Sequence, residues 1–309
     1  MTITGKPISM KFTNIILTAI WAFLAIHLAN GQTPERIKNM FPEGTIFHQN
    51  VPYSNDTLKG HLLDIYLPSH TTSNIPLVIW VHGGAWRLND KYADMGYMKN
   101  TVRSFIEKGY AFASIDYRYS TKAIFPAQIQ DCYEAVEFLY TNASKYKIER
   151  NKIALIGFSA GGHLASLLAL SNNNNVVEFY PEKKTTNFKI KAVMDFYGPS
   201  DFLSMTADGD PNMTGDPISG LLGSSPLMRP DISKFASPCT YVDKNDPPFF
   251  IVHGEKDESV PYQQSVLLQS YLNLANVKNE LTIVKDAPHY GVMFDSDEIR
   301  SKLFDFLEK

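Results

Sequence analysis

Short, mainly apolar runs alternate along this chain with segments of helical spacing. Residues 77–81 (LVIWV) form one such run, which stops at His82-Gly83-Gly84, and residues 153–156 (IALI) form another, which precedes a glycine-rich turn. A strand that is buried on both faces reads as a continuous apolar run, and parallel strands need a crossover that is usually helical. The alternation therefore predicts an α/β fold with a mostly parallel central sheet flanked by helices.

The individual elements follow from the same alternation. Gly109 is placed to end the first predicted helix, and Pro126 precedes the second. Strands are predicted at residues 63–67, 77–81, 111–115, 153–156, 190–196, 249–252 and 281–284, and helices at residues 102–106, 129–139, 160–170, 266–274 and 299–307.

The composition is that of a globular protein. The chain has 309 residues, of which 44% are hydrophobic, and a formal net charge of −3. This is sufficient for a large core, and the Lys and Arg residues are scattered, so we expect no nucleic-acid partner. Cys132 and Cys239 are far apart in the sequence. We expect two separate buried thiols, and an oxidising compartment would allow them to pair.

The N-terminal segment has the pattern of a targeting signal. Residues 15–29 are almost entirely apolar, and the small residues Ala29 and Gly31 occupy the positions that a signal peptidase reads. We expect residues 1–31 to be a signal peptide cleaved before Gln32, and the mature protein to be secreted or periplasmic without a membrane anchor. The alternative is an uncleaved anchor, for which the apolar run is short.

Residues 32–309 contain no internal repeat and no linker, so we expect one domain. Residues 200–247 separate two predicted strands and carry Gly, Pro, Asp and Met without a clear period. A connection of this length in a compact domain is usually a lid or part of a binding site. We predict that residues 200–247 form a small inserted cap that contributes to substrate binding. Residues 171–188 are polar and rich in Asn, and are predicted to form a surface loop.

The sharpest local motif is GFSAG at residues 157–161, a G-x-S-x-G sequence between a predicted strand and a predicted helix. In that context the serine occupies a tight strand-to-helix turn, and the flanking glycines leave its hydroxyl uncrowded. The N–H of Ala160 lies at the helix start, where the helix dipole favours negative charge. We predict that Ser159 is a nucleophile. The alternative is a glycine-rich turn with an ordinary serine.

A second glycine-rich motif, HGGAW at residues 82–86, directly follows a predicted strand. Glycines at a strand end leave backbone N–H groups free to face a ligand, and an oxyanion needs two such donors. We predict that the N–H groups of Gly84, Ala85 and Ala160 form an oxyanion hole. The His82 imidazole is expected to hold the loop by hydrogen bonding.

A serine nucleophile needs a base, and the base needs an acid that orients it. Asp257 and His289 each follow a predicted strand, at the strand ends where α/β sheets place ligands. The chain order Ser159, Asp257, His289 is a known order of nucleophile, acid and base. We predict that His289 is the general base and Asp257 the orienting acid.

Other residues compete for the roles of acid and base. His163 lies in the helix after the nucleophile and points away from the turn, so we expect a core or capping histidine. His253 ends a predicted strand. Three acidic residues close to the predicted acid are alternatives to it: Glu255, Glu258 and Asp286.

These ordered motifs resemble those of esterases of the α/β-hydrolase superfamily, in the HGG-x-W branch near the hormone-sensitive-lipase-like enzymes. The chain is most similar to secreted carbohydrate esterases known as bifunctional feruloyl and acetyl-xylan esterases. The resemblance runs from about Leu62 to the C-terminus. It rests on HGGAW at 82–86, DYR at 116–118, FPA at 125–127, GFSAGGHLA at 157–165, YGPSD at 197–201, SPCTYV at 237–242 and PPFFIVHGEKDESVP at 247–261.

Two positions depart from the pattern of this family. Ala85 replaces the third glycine of HGGG, but it still carries an N–H, so we expect the oxyanion hole to remain. Pro288 stands before the base where glycine is common, so we expect the loop that holds His289 to be stiffer or differently aimed. Three aromatic residues within or beside the motifs are predicted to contact the substrate: Trp86, Phe158 and Tyr290.

The resemblance implies a serine carboxylesterase that removes acetyl or feruloyl groups from plant polysaccharides, with no metal and no organic cofactor. The expected partner is an ester-bearing carbohydrate or a small ester, and the sequence predicts no oligomeric state. Two kinds of alternative stay open. One is a formamidase-like amidase or a general short-chain esterase acting on small molecules. The other is an inactive α/β-hydrolase that only binds a ligand or a partner.

Overall fold

The computed structural model describes residues 33–174, 176–180, 187–205 and 216–308. The predicted signal peptide, residues 1–31, lies outside these residues. In the described part of the chain, eight strands form one sheet. They are β1 (Ile46–Pro52), β2 (Leu62–Leu67), β3 (Ile75–Val81), β4 (Ala111–Ile115), β5 (Ile148–Phe158), β6 (Ile190–Phe196), β7 (Phe249–Gly254) and β8 (Asn279–Val284).

The strand order across the sheet is β1-β2-β4-β3-β5-β6-β7-β8. β2 pairs antiparallel with both β1 and β4. All the other neighbouring strands pair in parallel, from β4 and β3 through to β7 and β8. The predicted α/β fold with a mostly parallel sheet is confirmed, and every predicted strand is present.

β1 is a strand that the sequence did not predict. Its sequence, IFHQNVP, is partly polar, ends at a proline and is only partly buried. The side chains of β1 are only partly covered, so the strand needs no continuous apolar run, and proline is tolerated because one side of its backbone has no neighbouring strand. Apolar periodicity therefore could not separate β1 from a loop.

Most of the described helices lie in the connections between the strands, while the first precedes β1 and the last follows β8. α2 ends near Gly109, whose φ of 82° is the left-handed conformation that glycine adopts readily at a helix end. The described α-helices are α1 (Glu35–Lys38), α2 (Lys99–Glu107), α3 (Ala127–Thr141), α4 (Ala160–Ser171), α5 (Phe202–Met205), α6 (Pro217–Leu222), α7 (Pro230–Phe235), α8 (Gln263–Leu274) and α9 (Asp297–Glu308). Short 3₁₀ turns occupy Lys59–His61, Val177–Phe179, Pro238–Tyr241 and Val292–Asp295.

The sheet separates two hydrophobic cores. In β3, Leu77, Ile79 and Val81 belong to the first core, and Val78 and Trp80 belong to the second. This division follows the two-residue repeat of a strand. Helices α3, α4 and α8 contribute to the first core, and α2 and α9 contribute to the second. The central strands are thus buried on both faces, which explains their apolar runs.

The described parts of residues 200–247 contain α5, α6, α7 and the 3₁₀ turn at Pro238–Tyr241. Phe202, Ile218 and Leu221 of this segment belong to the first core. The segment therefore packs on the side of the sheet that α3, α4 and α8 cover. Its interpretation as a cap stays a prediction.

Cys132 on α3 and Cys239 in the last 3₁₀ turn of this segment are buried free thiols, as expected. Burial raises the pKa of both thiols, that of Cys239 to about 12, so both stay neutral near pH 7. Among the helices in the described ranges, none combines the length and the apolar character that crossing a bilayer requires.

Candidate active site

Ser159 lies in the turn between β5 and α4. Its backbone φ is 53°, a conformation that is uncommon for residues other than glycine. Its N–H donates to the carbonyl oxygen of Phe196 on β6 at 2.9 Å, which fixes the turn against the neighbouring strand. Gly161 is required two residues later, because a Cβ there would overlap the carbonyl oxygen of Val81 on β3. The glycine-rich motif therefore allows α4 to start close to the sheet.

The side chains of Ser159, His289 and Asp257 meet at the carboxyl end of the sheet. The Oγ of Ser159 is 2.8 Å from Nε2 of His289, and Nδ1 of His289 is 2.6 Å from Oδ2 of Asp257. Asp257 follows β7 and His289 follows β8, so two neighbouring strands bring them together. Pro288 does not misdirect the loop, since His289 reaches Ser159 within hydrogen-bonding distance.

The carboxylate of Asp257 is 0% exposed, and four groups donate to it. Its Oδ1 accepts the N–H groups of Ser259 and Val260, each at 2.8 Å, and its Oδ2 faces both His289 and His253. Burial raises the pKa of Asp257, but the hydrogen bonds from His253 and His289 outweigh burial and hold the pKa well below its usual value. The carboxylate is therefore ionised at neutral pH.

The alternative acids have other surroundings. Asp286 forms an ion pair with Lys256 at 2.5 Å, and Glu255 accepts the N–H of Asp286 at 3.0 Å. Glu258 is exposed to solvent. Among the acidic residues considered for this role, all of which lie in the described ranges, Asp257 is the one that contacts the His289 imidazole.

The turn after β3 lies beside Ser159. Gly84, Ala85 and Trp86 have positive φ values of 122°, 53° and 57°, and the carbonyl oxygen of Gly84 accepts the N–H of Leu88 at 2.9 Å. A Cβ at Gly84 would overlap the carbonyl oxygen of Leu88, so this turn needs glycine there. Within the described residues, the N–H groups of Gly84 and Ala85 have no protein acceptor. Both residues line the same cavity as Ser159.

Ala160 supplies a further N–H at the start of α4. The first N–H groups of a helix have no acceptor within the helix and carry the positive end of its dipole. A hydroxyl that contacts an imidazole, an imidazole that contacts an ionised carboxylate, and nearby unpaired N–H groups form a set that can carry out acyl transfer.

A half-buried carboxylate that no sequence motif marks lies behind the turn after β3 and lines the cavity. Oδ2 of Asp94 accepts the N–H of Gly83 at 2.7 Å, and Oδ1 accepts the hydroxyl of Tyr97 at 2.7 Å. The Tyr97 oxygen is also 2.7 Å from the hydroxyl of Tyr197, whose ring centroid lies 4.9 Å from that of His289. Burial raises the pKa of Asp94, and the hydrogen bonds from Gly83 and Tyr97 oppose that rise. This network connects the turn to the predicted base.

Two of the aromatic residues predicted to contact substrate line the cavity. Trp86 is 3% exposed, and its Nε1–H donates to Nδ1 of His163 at 3.2 Å. Tyr290 is 64% exposed, and its ring centroid lies 6.1 Å from that of Tyr97. Trp86 therefore both packs inside the protein and faces the cavity, and Tyr290 offers a solvent-exposed aromatic face.

The prediction that Phe158 contacts substrate is wrong. Its side chain is 0% exposed and packs between Trp80 and Phe196, with ring centroids 4.3 and 4.9 Å away. Successive side chains along a strand point to opposite faces. Phe158 is the last residue of β5, and its side chain enters the second core while the next residue, Ser159, faces the cavity.

Two other histidines near the site, His82 and His163, are structural. His82 Nδ1 is 2.6 Å from the carbonyl oxygen of Gly83, and its ring stacks on Tyr117 with centroids 4.3 Å apart. His163 Nε2 donates to the carbonyl oxygen of Ala236 at 2.8 Å. Burial lowers the pKa of His163 to about 4, so this imidazole is neutral at pH 7. His163 is thus a core histidine, as expected.

A cavity of about 620 Å³ has Ser159 and His289 in its wall, a volume within the range of small-molecule sites. Part of the wall comes from residues 200–247, through Met205, Pro217 and Ile218. Across the described ranges, no group of His, Cys, Asp and Glu side chains is arranged to hold a metal ion.

Comparison with known proteins places this geometry in a family. The chain is 33% identical over 218 residues to the esterase LipQ of Mycobacterium tuberculosis, which covers 70% of this chain and 50% of LipQ. This chain thus spans about half the length of that curated relative. A truncated carbohydrate esterase from gut microbiota has 32% identity and a TM-score of 0.75, covering 87% of this chain and 98% of that chain.

A bifunctional GH43-CE protein of Bacteroides eggerthii also has 32% identity, with a TM-score of 0.76 over 85% of this chain and 38% of that chain. The family model BD-FAE matches residues 63–272, which is more than half of the chain. The matched region runs from β2 to α8 and includes Ser159 and Asp257. The chain therefore belongs to the BD-FAE family of α/β-hydrolases.

Proposed function

We propose that this protein is a serine carboxylic-ester hydrolase in which Ser159 is the nucleophile, His289 the general base and Asp257 the orienting acid. The observation that carries the proposal is the continuous contact between the three side chains, 2.8 Å from Ser159 to His289 and 2.6 Å from His289 to Asp257. The esterase names of the relatives support the same reaction class.

In the first half of the reaction, the Oγ of Ser159 attacks the ester carbonyl carbon while its proton passes to Nε2 of His289. The carbonyl oxygen becomes an oxyanion and accepts hydrogen bonds from the N–H groups of Gly84, Ala85 and Ala160. Asp257 holds Nδ1–H of His289, which keeps Nε2 free to accept the proton. His289 then protonates the leaving alcohol as the C–O bond breaks, and an acyl-enzyme remains on Ser159.

In the second half, a water molecule takes the place of the alcohol. His289 removes a proton from this water as its oxygen attacks the acyl carbon, and the same N–H groups hold the second oxyanion. The proton then returns from His289 to the Oγ of Ser159 as the acid leaves. The chain's own side chains and backbone thus account for every proton in the cycle.

We further propose that the natural substrate is a carbohydrate that carries acetyl or feruloyl esters. Both solved relatives named above are carbohydrate esterases or contain a CE part by name. The cavity of about 620 Å³ exceeds what an acetyl group fills, and Tyr97 and Tyr290 offer aromatic faces that suit an aryl acyl group or a sugar ring. The apolar N-terminal segment supports a secreted or periplasmic location, with the mature chain beginning at Gln32.

The test is hydrolysis of p-nitrophenyl acetate, acetylated xylan and methyl ferulate by the protein that begins at Gln32. Ser159→Ala removes the nucleophile. Ser171→Ala is the matched control, because it deletes a buried hydroxyl from the other end of α4. We expect acetate or ferulate release that is lost in Ser159→Ala and kept in Ser171→Ala.

The three substrates separate the parts of the proposal. Release from p-nitrophenyl acetate alone would support the reaction class and contradict the carbohydrate substrate. Activity that survives in Ser159→Ala would contradict the assigned nucleophile. An aryl formamide is the fourth substrate, and its turnover in preference to every ester would replace the esterase with an amidase.

A further inference from the structure

A second histidine contacts the same carboxylate oxygen as His289. His253 lies near the end of β7 and is 0% exposed. Its Nε2 is 3.1 Å from Oδ2 of Asp257 and 2.8 Å from the carbonyl oxygen of Val260, and its Nδ1 is 2.7 Å from the Oγ of Ser265 on α8. None of the proposed acyl-transfer steps uses this imidazole, and it does not line the cavity.

The contacts of His253 assign its tautomer. The carbonyl oxygen of Val260 can only accept, so Nε2 must carry a hydrogen, which it shares between Val260 and Asp257. The Ser265 hydroxyl can donate to Nδ1, so a neutral imidazole satisfies every polar contact of the ring. The Ser265 side chain on α8 thus fixes the His253 ring in the orientation that directs Nε2–H at the carboxylate of Asp257.

The carboxylate of Asp257 is held from three sides. Ser259 and Val260 donate their N–H groups to Oδ1, and His253 occupies the second acceptor direction of Oδ2, beside His289. Rotation of the carboxylate about its Cβ–Cγ bond would break the bond from His253. The ring therefore restricts the direction in which Oδ2 faces His289.

The geometry points to His253 as a positioning residue of the triad, one that holds the Asp257 carboxylate in the plane and orientation that the His289 imidazole requires. This inference rests on the proposed function, since it assigns a role within the same site. His253 touches neither the substrate cavity nor Ser159, so it acts through Asp257 alone.

Several titratable groups surround this ring. Asp257 lies directly against it, and His289 lies on the far side of Asp257. On β6, Asp195 interacts electrostatically with His253. Oδ2 of Asp195 accepts the hydroxyl of Ser166, and Oδ1 accepts the N–H of Gly198. Tyr197 follows β6, and its ring centroid lies 6.3 Å from that of His253. These groups titrate as a coupled set, so a pH dependence of activity cannot be assigned to His253 alone.

The test compares three variants with a matched control. His253→Leu removes the donor, and His253→Gln keeps an amide N–H close to the position of Nε2. Ser265→Ala leaves the imidazole in place but removes the hydroxyl that holds its Nδ1 and so the orientation of the ring. The control is His61→Leu, because His61 is also buried against a carboxylate, Asp131, but lies outside the cavity wall.

The first readout is the kinetics of p-nitrophenyl acetate hydrolysis. We expect kcat to fall about 10- to 100-fold in His253→Leu with little change in KM, because the base is misaligned while the cavity is intact. We expect His253→Gln to recover most of that loss, and Ser265→Ala to show a smaller loss of the same kind. The acidic limb of kcat/KM should move to higher pH in His253→Leu, because a carboxylate with one donor fewer is more basic. It should not move in His61→Leu.

The second readout does not need a substrate. We expect the proton between His289 and Asp257 to give a downfield ¹H NMR resonance that disappears in His289→Gln. We expect this resonance to shift or vanish in His253→Leu and to keep its position in His61→Leu. If the unaltered protein hydrolyses no ester, the proposed function fails, and the resonance still decides whether His253 positions Asp257.

Thermal unfolding of each variant separates a structural role from a positioning role. A folded His253→Leu with unaltered kcat, an unmoved acidic limb and an unmoved resonance would overturn the inference. If His253→Leu does not fold, His253→Gln and Ser265→Ala carry the test. The inference is then overturned if the resonance and the acidic limb of Ser265→Ala match those of the unaltered protein.

Discussion

Asp94→Ala tests whether the half-buried carboxylate behind the turn after β3 supports both stability and the site. The substitution leaves the N–H of Gly83 and the hydroxyl of Tyr97 without the acceptor that now lies 2.7 Å from each. A buried donor without an acceptor costs about 1–3 kcal/mol. Two such donors would cost more, but removal of a desolvated carboxylate offsets part of the loss, so we expect about 3 kcal/mol in total.

This loss predicts a measurable change in melting temperature. A domain of this size loses roughly 2–4 °C in Tm for each kcal/mol, so we expect Asp94→Ala to melt roughly 6–12 °C lower. Gly83 is followed directly by Gly84 and Ala85, so freeing its N–H loosens the proposed oxyanion donors. We therefore expect kcat on p-nitrophenyl acetate to fall about 100-fold at a temperature where the variant is folded.

The control is Asp131→Ala, which removes a more deeply buried carboxylate. Asp131 accepts the backbone N–H and the guanidinium of Arg118, and it does not line the cavity. We expect a comparable loss of Tm with kcat of the folded protein retained. Circular dichroism melting and steady-state kinetics on both variants give the comparison. An Asp94→Ala variant with the predicted drop in Tm but unaltered kcat would refute the argument that Asp94 positions the turn.

Gly161→Ala should destabilise the protein by about 3 kcal/mol in thermal melts and lower kcat, because the added Cβ would overlap a carbonyl oxygen of β3. Gly220→Ala is the control: the added Cβ has no neighbouring atom within 4 Å, so we expect this variant to be tolerated in the same melts. Asp257 has a depressed pKa in the folded state, so it stabilises the fold above its ordinary pKa of 3.8 and loses this effect as pH falls. Urea unfolding should therefore show a stability gap between the unaltered protein and Asp257→Asn at pH 7 that shrinks below pH 3.8; a constant gap would contradict the assignment. Trp86→Phe removes the donor to Nδ1 of His163, and we expect a loss of about 1 kcal/mol by chemical denaturation, with KM changed more than kcat. An unchanged KM would argue against Trp86 as a substrate contact.

The strands could be predicted from the sequence because both faces of the central sheet are covered. Leu77, Ile79 and Val81 enter one core and Val78 and Trp80 the other, so no polar residue interrupts the run. β1 lies at the sheet edge and carries no such signal. Boundaries were also approximate, since β5 extends from Ile148, five residues before the apolar run that marked it.

The site was predictable where a residue follows a strand within a motif. Ser159, Asp257 and His289 all follow apolar strands, and the order of these residues suggested their contact before any geometry was known. Phe158 was misassigned because closeness in sequence to the nucleophile does not give the direction of a side chain, and strand alternation sends it into the second core. Asp94 has no motif around it, and its role depends on a turn geometry that only the structure supplies.

Active-site titration with a p-nitrophenyl alkylphosphonate, followed by peptide mapping of the covalent adduct, tests directly whether Ser159 is the nucleophile. We expect stoichiometric release of p-nitrophenol, a single adduct on the peptide that contains Ser159, and no adduct in Ser159→Ala. Labelling should slow strongly in His289→Gln, because the base that activates Ser159 is then missing. An adduct on another residue, or equal labelling of Ser159→Ala, would contradict the assignment of the nucleophile.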